Sequence, residues 1–435
     1  MGVGVREVVP TSRTIHRLRT PGLLSLLLTV ACADVTTVGD VERLPDAGTA
    51  EDADAGRLEL PDDAGSNDAG WTEDGGAGWA EDASLDAGVA PMDAGAVDEE
   101  DAGSAGPIED PTDWSEVPLA DPDTVLARDG RYITYGTTLG AGRGPRCGGR
   151  GKLYVPYLVH GSGNSVRMSD CAAGDAMPDG PGAWAEPGGA IWAPGVVRFG
   201  DRYFMFYTAS RRGSGQKCIG RATSGSARGP FVSRGEWACP AAGRWVIDAN
   251  PIVAGGRMYV AYRDDAITSF PETGLSVVRT DDSGRAVWST RRDLLVSTDI
   301  RWETIRISGT SHVIENPSLF RHGGTWYVAY SGNNWDSARY ATGIADCGSG
   351  VLPLSRCAPM RRGVQRPFFG FTGAGGLDPY RGLPGNHQGP GGMDVFQAAD
   401  GTLRAVWHWW RPSDRSRHLS VGRLLTNAGG FYVGR

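Results

Sequence analysis

One pattern recurs five times in the C-terminal part of this chain: a tight Gly/Asp turn followed by an aromatic-rich alternating run. The runs are Gly130-Arg-Tyr-Ile-Thr-Tyr135, Asp201-Arg-Tyr-Phe-Met-Phe-Tyr207, Gly256-Arg-Met-Tyr-Val-Ala-Tyr262, Gly324-Thr-Trp-Tyr-Val-Ala-Tyr330 and Gly401-Thr-Leu-Arg-Ala-Val-Trp407. Their turns lie 71, 55, 68 and 77 residues apart, and short apolar stretches such as Thr124–Leu126, Val196–Phe199 and Ser318–Phe320 precede them. Strand, tight turn, strand is the signature of a β-hairpin. Each unit has room for a four-stranded sheet, and one such sheet cannot bury its own faces. Five units therefore predict an all-β chain folded as a five-bladed β-propeller over residues 114–435. Helical periodicity is not evident there, and no heptads recur, which excludes a coiled coil.

What precedes the repeats has a different chemistry. Residues 33–113 carry 24 Asp and Glu against Arg43 and Arg57, and seven Asp-Ala-Gly triplets punctuate them. Formal charges of +3 over 1–32, −22 over 33–113 and +11 over 114–435 lie behind the net −8 of the whole chain. Low hydrophobicity and like-charge repulsion leave too little apolar surface to offset chain entropy, so 32–113 reads as a disordered acidic linker. The triplets have no fixed period and lack Gly-Gly-x-Gly-x-Asp, which argues against calcium repeats. The first residues supply Arg6, Arg13, Arg17 and Arg19, then the apolar Leu23–Ala31, then Cys32. That order is a signal peptide over 1–31. Cys32 after Val30-Ala31 resembles a bacterial lipoprotein signal, with Thr29 where leucine is usual; an ordinary signal with an incidental cysteine is the alternative. The expectation is an exported cell-envelope or surface protein, lipid-anchored through Cys32 and otherwise secreted. No later apolar run is long enough to cross a bilayer.

Six further cysteines suit an oxidising compartment better than metal ligation, since no Cys-x-x-Cys occurs. Proximity suggests the pairs 147–171, 218–239 and 347–357, among about 15 that six cysteines allow.

Counting back eight or nine residues from each turn reaches Asp121, Trp192, Asp248, Glu315 and Gly392. A proline follows the first four within three residues (Pro122, Pro194, Pro251, Pro317). The innermost strand of every blade lines the channel, so equivalent strand starts converge on the axis. Any one of these acids alone is best read as solvated; three sharing one structural position with a tryptophan predict a site. Paired carboxylates suit glycoside hydrolysis, in which a base activates water and an acid protonates the leaving oxygen, roughly 6.5–9.5 Å apart when configuration inverts. A third carboxylate raises the acid's pKa by disfavouring another charge.

Leu119-Ala-Asp-Pro122, Ile191-Trp-Ala-Pro194, Val246-Ile-Asp248 and Val313-Ile-Glu-Asn-Pro317 resemble, in that order, the motifs of glycoside hydrolase family 43. Ser331-Gly-Asn-Asn334, Tyr340-Ala-Thr-Gly343 and Gly389-Pro-Gly-Gly392 are similar to its arabinofuranosidase-type branch. The resemblance covers essentially all of 114–435. It implies a five-bladed propeller that cleaves arabinose- or xylose-containing polysaccharides with inversion. It also implies Asp121 as general base, Glu315 as general acid, Asp248 as the group tuning Glu315, and Trp192 as a stacking face. Trp335 is a second candidate for the substrate-binding wall. Many relatives carry a histidine after Gly-Pro-Gly, often linked to a central calcium. Here that place is Gly392, with His387 nearby, so no cofactor is required by the reading and the metal stays open.

Two other propeller functions compete. Thr280-x-Asp282-x-Gly284-x-x-Val287-Trp288 resembles one degenerate Asp-box of a sialidase, but the arginine triad and tyrosine nucleophile are missing. A non-catalytic carbohydrate-binding propeller at the cell surface is the second; retention of all three acids speaks against it, since binding needs no protonated glutamate. The +11 charge is spread along the chain without a basic run, so nucleic acid is not an expected partner. The leading expectation is an α-L-arabinofuranosidase, then a β-xylosidase, acting on arabinan or arabinoxylan.

Overall fold

Paired glycines that turn with positive φ, Gly255 and Gly256 or Gly323 and Gly324, close two-residue hairpins of the kind that match the twist of their flanking strands. The computed structural model describes residues 117–434 except 141–150, 161–171, 242, 270–271, 301, 303–312, 353, 355, 361–366, 371–387, 412–415 and 428–429. The expected signal peptide, the acidic linker, Cys32, the Cys147–Cys171 pairing and His387 lie outside the described residues.

Five antiparallel sheets follow one another in chain order. The first holds β1 (Asp123–Leu126), β2 (Tyr132–Tyr135), β3 (Pro156–His160) and β4 (Gly174–Asp175). The second holds β5 (Trp192–Phe199), β6 (Arg202–Ser210), β7 (Lys217–Ser224) and β8 (Val232–Ala238). The third holds β9 (Val246–Ala254), β10 (Arg257–Asp264), β11 (Gly274–Arg279) and β12 (Arg292–Val296). In the fourth, β13 (Ile314–His322), β14 (Thr325–Gly332) and β15 (Ala341–Gly348) are edged by two short strands, β16 (Ala358–Pro359) and β17 (Phe369–Gly370), both paired to β15. The fifth holds β18 (Gln388–Gln397), β19 (Leu403–Arg411), β20 (Ser416–Asn427) and β21 (Gly430–Gly434). Each predicted aromatic run is the second strand of its blade. Three short 3-10 turns are the remaining regular elements among the described residues, and no helix there is long and apolar enough to cross a membrane.

The aromatic runs follow from having a neighbour on both sides. Successive strand residues point to opposite faces. In β6, Tyr203, Met205 and Tyr207 pack with Ile133, Tyr135 and Val155 of the first blade. The alternate Phe204 and Phe206 pack with Met258, Val260 and Tyr262 of the third. Similar buried clusters fill the spaces between blades three and four, four and five, and five and one. A strand apolar on both faces is thus the signature of a sheet sandwiched between two others. The ring closes on itself: Val117 accepts from Leu419 N at 3.1 Å, and Pro118 bridges His418, so the segment before the first blade extends the outer edge of the last.

Disulfides join Cys218 to Cys239 and Cys347 to Cys357, two of the pairs that proximity suggested.

Candidate active site

The five innermost strands begin with the same backbone device. Asp121, Ala193, Asp248, Asn316 and Gly392 have φ of 51°, 39°, 58°, 50° and 57°. Left-handed backbone is uncommon for side chains other than Asn, Asp and Gly, and where it persists the surrounding structure must hold it. Here the ladders shift register beside it, between Trp192 and Gly195, Glu315 and Ser318, and Gly391 and Asp394. These bulges aim the strand starts at one mouth of the channel. They also correct the sequence alignment: Trp192 and Glu315 stand one residue before the position that Asp121 and Asp248 occupy. A uniform count of eight from the turn residues 201, 256 and 324 reaches Ala193, Asp248 and Asn316, whereas the longer turns of the first and last blades put Asp121 and Gly392 at nine.

A small cavity of about 30 Å³ lies on the axis, lined by Asp121, Ala193, Asp248, Asn316 and Gly392, and one layer deeper by Asp123, Gly195, Asn250, Ser318 and Asp394. Asp121 and Asp248 line this mouth, and Glu315 precedes the lining residue Asn316, close enough for its charge to act on Asp248. Asn316 N, next to Glu315, donates to Asp248 Oδ2 at 3.2 Å.

Each acid has its own surroundings. Asp121 Oδ1 accepts from Arg417 Nη1 at 2.7 Å, and Oδ2 accepts from Thr137 Oγ1 at 2.6 Å. Burial works to raise its pKa, but Arg417 and Thr137 prevail and hold it below the ordinary carboxylate value. Glu315 goes the other way. Burial raises it, and the opposing effects of Arg263, 3.0 Å from Oε2, and of the Tyr340 hydroxyl, 3.0 Å from Oε1, do not cancel that rise. Asp248 is held well above its ordinary value by burial and by the charges of Glu315 and Asp121. The mouth therefore keeps one carboxylate ionised while favouring a proton on the other two.

His408 of β19 backs Asp121. Its Nδ1 accepts the Asp121 backbone N–H at 3.1 Å, and its ring stacks on Tyr340. Burial and Arg417 push it down to about 3, so it is a neutral imidazole with its proton on Nε2. It occupies the space a side chain at 392 would need: a Cβ there would come within 2.7 Å of His408 Cε1 and Nδ1. Nε2 is buried with no hydrogen-bond partner among the described residues. Calcium takes six to eight oxygen ligands, whereas the spare atom here is an imidazole nitrogen and the nearest carboxylate already lies against Arg417. Among the described residues no three His, Cys, Asp or Glu ligand atoms gather there, so these residues do not compose a calcium cage.

Aromatic walls flank the acids. Trp192 stands next to Ala193, whose N–H donates to Thr137 Oγ1 at 3.0 Å, the same hydroxyl that reaches Asp121. Trp192 meets Trp245 edge-on at 6.4 Å, and Lys217 Nζ sits 3.9 Å over its ring. Arg263, the partner of Glu315, lies over Trp245 at 5.7 Å. On the other side, Arg417 covers Trp335 at 4.7 Å, and Trp335 meets Trp410 edge-on at 5.8 Å. Trp335 thus contacts a residue that touches Asp121, whereas Trp192 is tied to it through its chain neighbour Ala193 and Thr137. Arg263, Arg417, Thr137, His408, Tyr340 and Trp245 were not singled out as site residues. Only Tyr340 lay in a motif; the arginine–acid contacts span 52 and 296 residues, a distance that no local pattern reports.

Residues 116–429 match the family described as Glycosyl hydrolases family 43. The chain belongs to that family. As a family 43 member it is a glycosidase, and the competing Asp-box reading has a local explanation. Asp281 Oδ1 accepts from Ser283 N and Arg285 N at 2.9 and 2.8 Å, with Gly284 at positive φ, which makes an exposed turn. The chain is 26% identical over 279 residues to the probable arabinan endo-1,5-alpha-L-arabinosidase A of Aspergillus flavus, an alignment covering 58% of this chain and 79% of that protein. Among solved structures it is similar in fold to a thermostable family-43 glycoside hydrolase (TM-score 0.57, 20% identity, 73% of this chain and 93% of that one). It is likewise similar to the alpha-L-arabinofuranosidase from Lactobacillus brevis (TM-score 0.55, 18% identity, 74% and 96%).

Proposed function

We propose that this family 43 glycosidase hydrolyses arabinofuranosyl linkages of arabinan or arabinoxylan with inversion, favouring α-L-arabinofuranosides over β-xylosides. The observation that carries the reading is the division of protonation at one mouth: Asp121 held below the ordinary carboxylate value beside Arg417, Glu315 held above it by burial. Ionised Asp121 takes a proton from water as the water oxygen bonds to the anomeric carbon. Glu315 gives its proton to the glycosidic oxygen as the carbon–oxygen bond breaks. Burial and the Asp121 charge keep that proton from being lost early, and Asp248, itself favouring a proton, accepts from the Asn316 amide beside Glu315. The aromatic walls of Trp192 and Trp335 would hold the sugar, and the residues present supply the chemistry without a cofactor. Similarity in sequence to a probable arabinan endo-1,5-alpha-L-arabinosidase supports the choice of sugar. The acidic linker and Cys32 belong to the same proposal, as the tether and lipid anchor of an exported enzyme facing its polysaccharide.

Nitrophenyl α-L-arabinofuranoside, nitrophenyl β-xyloside and arabinan separate the readings. Turnover of the first and third, with the inverted anomer as initial product by NMR, is the expected result. Glu315→Gln should cost about 10²–10⁴-fold in kcat on arabinan, and much less on an aryl glycoside whose leaving group needs no proton. Preference for the xyloside would transfer the reading to a β-xylosidase. Binding without turnover would support the carbohydrate-binding alternative.

A further inference from the structure

One layer below the mouth, the strands place a second set of equivalent residues, each two positions after a mouth residue: Asp123, Gly195, Asn250, Ser318 and Asp394. Asp123 and Asp394 are buried, at 7% and 6% exposure. Asp123 Oδ1 accepts from Val196 N of the second blade at 2.9 Å. Asp394 Oδ2 accepts from Thr124 N of the first at 2.9 Å, and its Oδ1 accepts from Ser318 Oγ of the fourth at 3.0 Å. Asn250 Nδ2 of the third lies between the two acids, 3.3 Å from Asp123 Oδ2 and 3.2 Å from Asp394 Oδ1. Asn250 Oδ1 accepts from Leu319 N, and Ser318 Oγ accepts from Val395 N. One belt of side chains thus ties all five blades together.

No arginine or lysine among the described residues pairs with either acid. Two carboxylates approached by the same amide, buried and without a cation, cannot both ionise at modest cost, so such pairs hold a proton in common. We infer that Asp123 and Asp394 are positioning residues that carry one proton between them, and with Asn250 and Ser318 hold the strand starts presenting Asp121, Asp248 and Glu315. Burial and the Asp394 charge keep Asp123 well above the ordinary value, while Asp394 is raised to about 6, so the proton resides on Asp123. Ionised Asp121 one layer above is a like charge that disfavours a further one, and the titratable groups behind the belt in the first blade add none. Tyr135 of β2 is buried and raised, its hydroxyl donating to Ala227 O. His160 of β3, reached through the Thr134 and Thr124 hydroxyls, is lowered to about 4 and neutral. The inference rests on the glycosidase reading for its kinetic readout and on nothing but the belt for its proton.

Two measurements test it. In an infrared difference spectrum at pH 7 between the native protein and Asp123→Asn, the lost band should be that of a carboxylic acid. Loss of a carboxylate band instead overturns the shared proton. In kinetics, Asp123→Asn, which resembles the protonated acid, should keep kcat within about threefold, whereas Asp123→Leu and Asp394→Asn should lower it about tenfold or more with KM within about twofold. Equal losses in Asp123→Asn and Asp123→Leu, or losses carried in KM, overturn the positioning role. If the native protein turns over no furanoside or xyloside, the glycosidase reading fails by itself and the infrared result still decides the proton. Should Asp123→Leu not fold, the Asp123→Asn and Asp394→Asn pair carries the kinetic comparison.

Discussion

Arg263 reaches Glu315 with Nη1 3.0 Å from Oε2, while its Nε and Nη2 hold Asp265 at 2.9 and 3.1 Å. A cation beside the proposed general acid works to strip its proton. The arrangement works because burial outweighs the attraction, and because Asp265 shares the guanidinium charge. Replacing Arg263 by Met removes an influence that lowers Glu315, so the acid should hold its proton to higher pH. The alkaline limb of kcat/KM is expected to move upward. Asp265 would be left buried without its cation, so a stability loss of about 3–5 kcal/mol is expected in denaturant melts. A downward move of the limb would show that Glu315 is not the group titrating there.

Arg417 acts on the opposite limb. It is the largest of the influences holding Asp121 down against burial. In Arg417→Met, burial should dominate and the Asp121 pKa should rise. A base must be ionised to work, so the acidic limb should shift to higher pH. Trp335 would also lose the guanidinium covering it. An unchanged acidic limb would remove Asp121 from the role of base.

Gly392 is the departure from the histidine of many relatives, and the ring of His408 fills the space beside it. An added Cβ would meet that ring at 2.7 Å, on a backbone with φ +57°. Gly392→Ala should destabilise by about 1–3 kcal/mol and lower kcat, since His408 also holds the Asp121 amide. Adding His408→Ala should recover part of the stability loss, leaving a coupling of about 0.5 kcal/mol or more in a double-mutant cycle. Strict additivity would mean that the two positions do not compete for one space.

The disulfides differ in the loop they close, 21 residues for Cys218–Cys239 and 10 for Cys347–Cys357. Loop closure costs about 0.6 kcal/mol per doubling of length. Replacing the first pair by alanines should therefore destabilise by about 3 kcal/mol, and replacing the second by slightly less. Melting temperatures of the two double variants, with and without reductant, check the order.

Five blades were legible because their cause is local and repeated. A middle strand between two neighbouring sheets must be apolar on both faces, and a two-residue hairpin must turn on residues that accept positive φ. Both demands are written in consecutive residues, as in Tyr203–Tyr207 or Gly323–Gly324. The three acids were legible for a related reason: they lie at strand starts that recur with the blades. Their exact equivalence depends on turn length: Ala193, Asp248 and Asn316 lie eight residues before the second residue of a two-residue turn, which leaves Trp192 and Glu315 one residue ahead of the position that Asp248 holds.

Sequence by itself determined the repeat, the architecture and which carboxylates approach the axis, because strand alternation and turn chemistry act between near neighbours. Only the folded ring decided which of those carboxylates keeps a proton. Charge state depends on burial and on partners such as Arg417 and Arg263, and ring closure brings these from strands far apart in the chain.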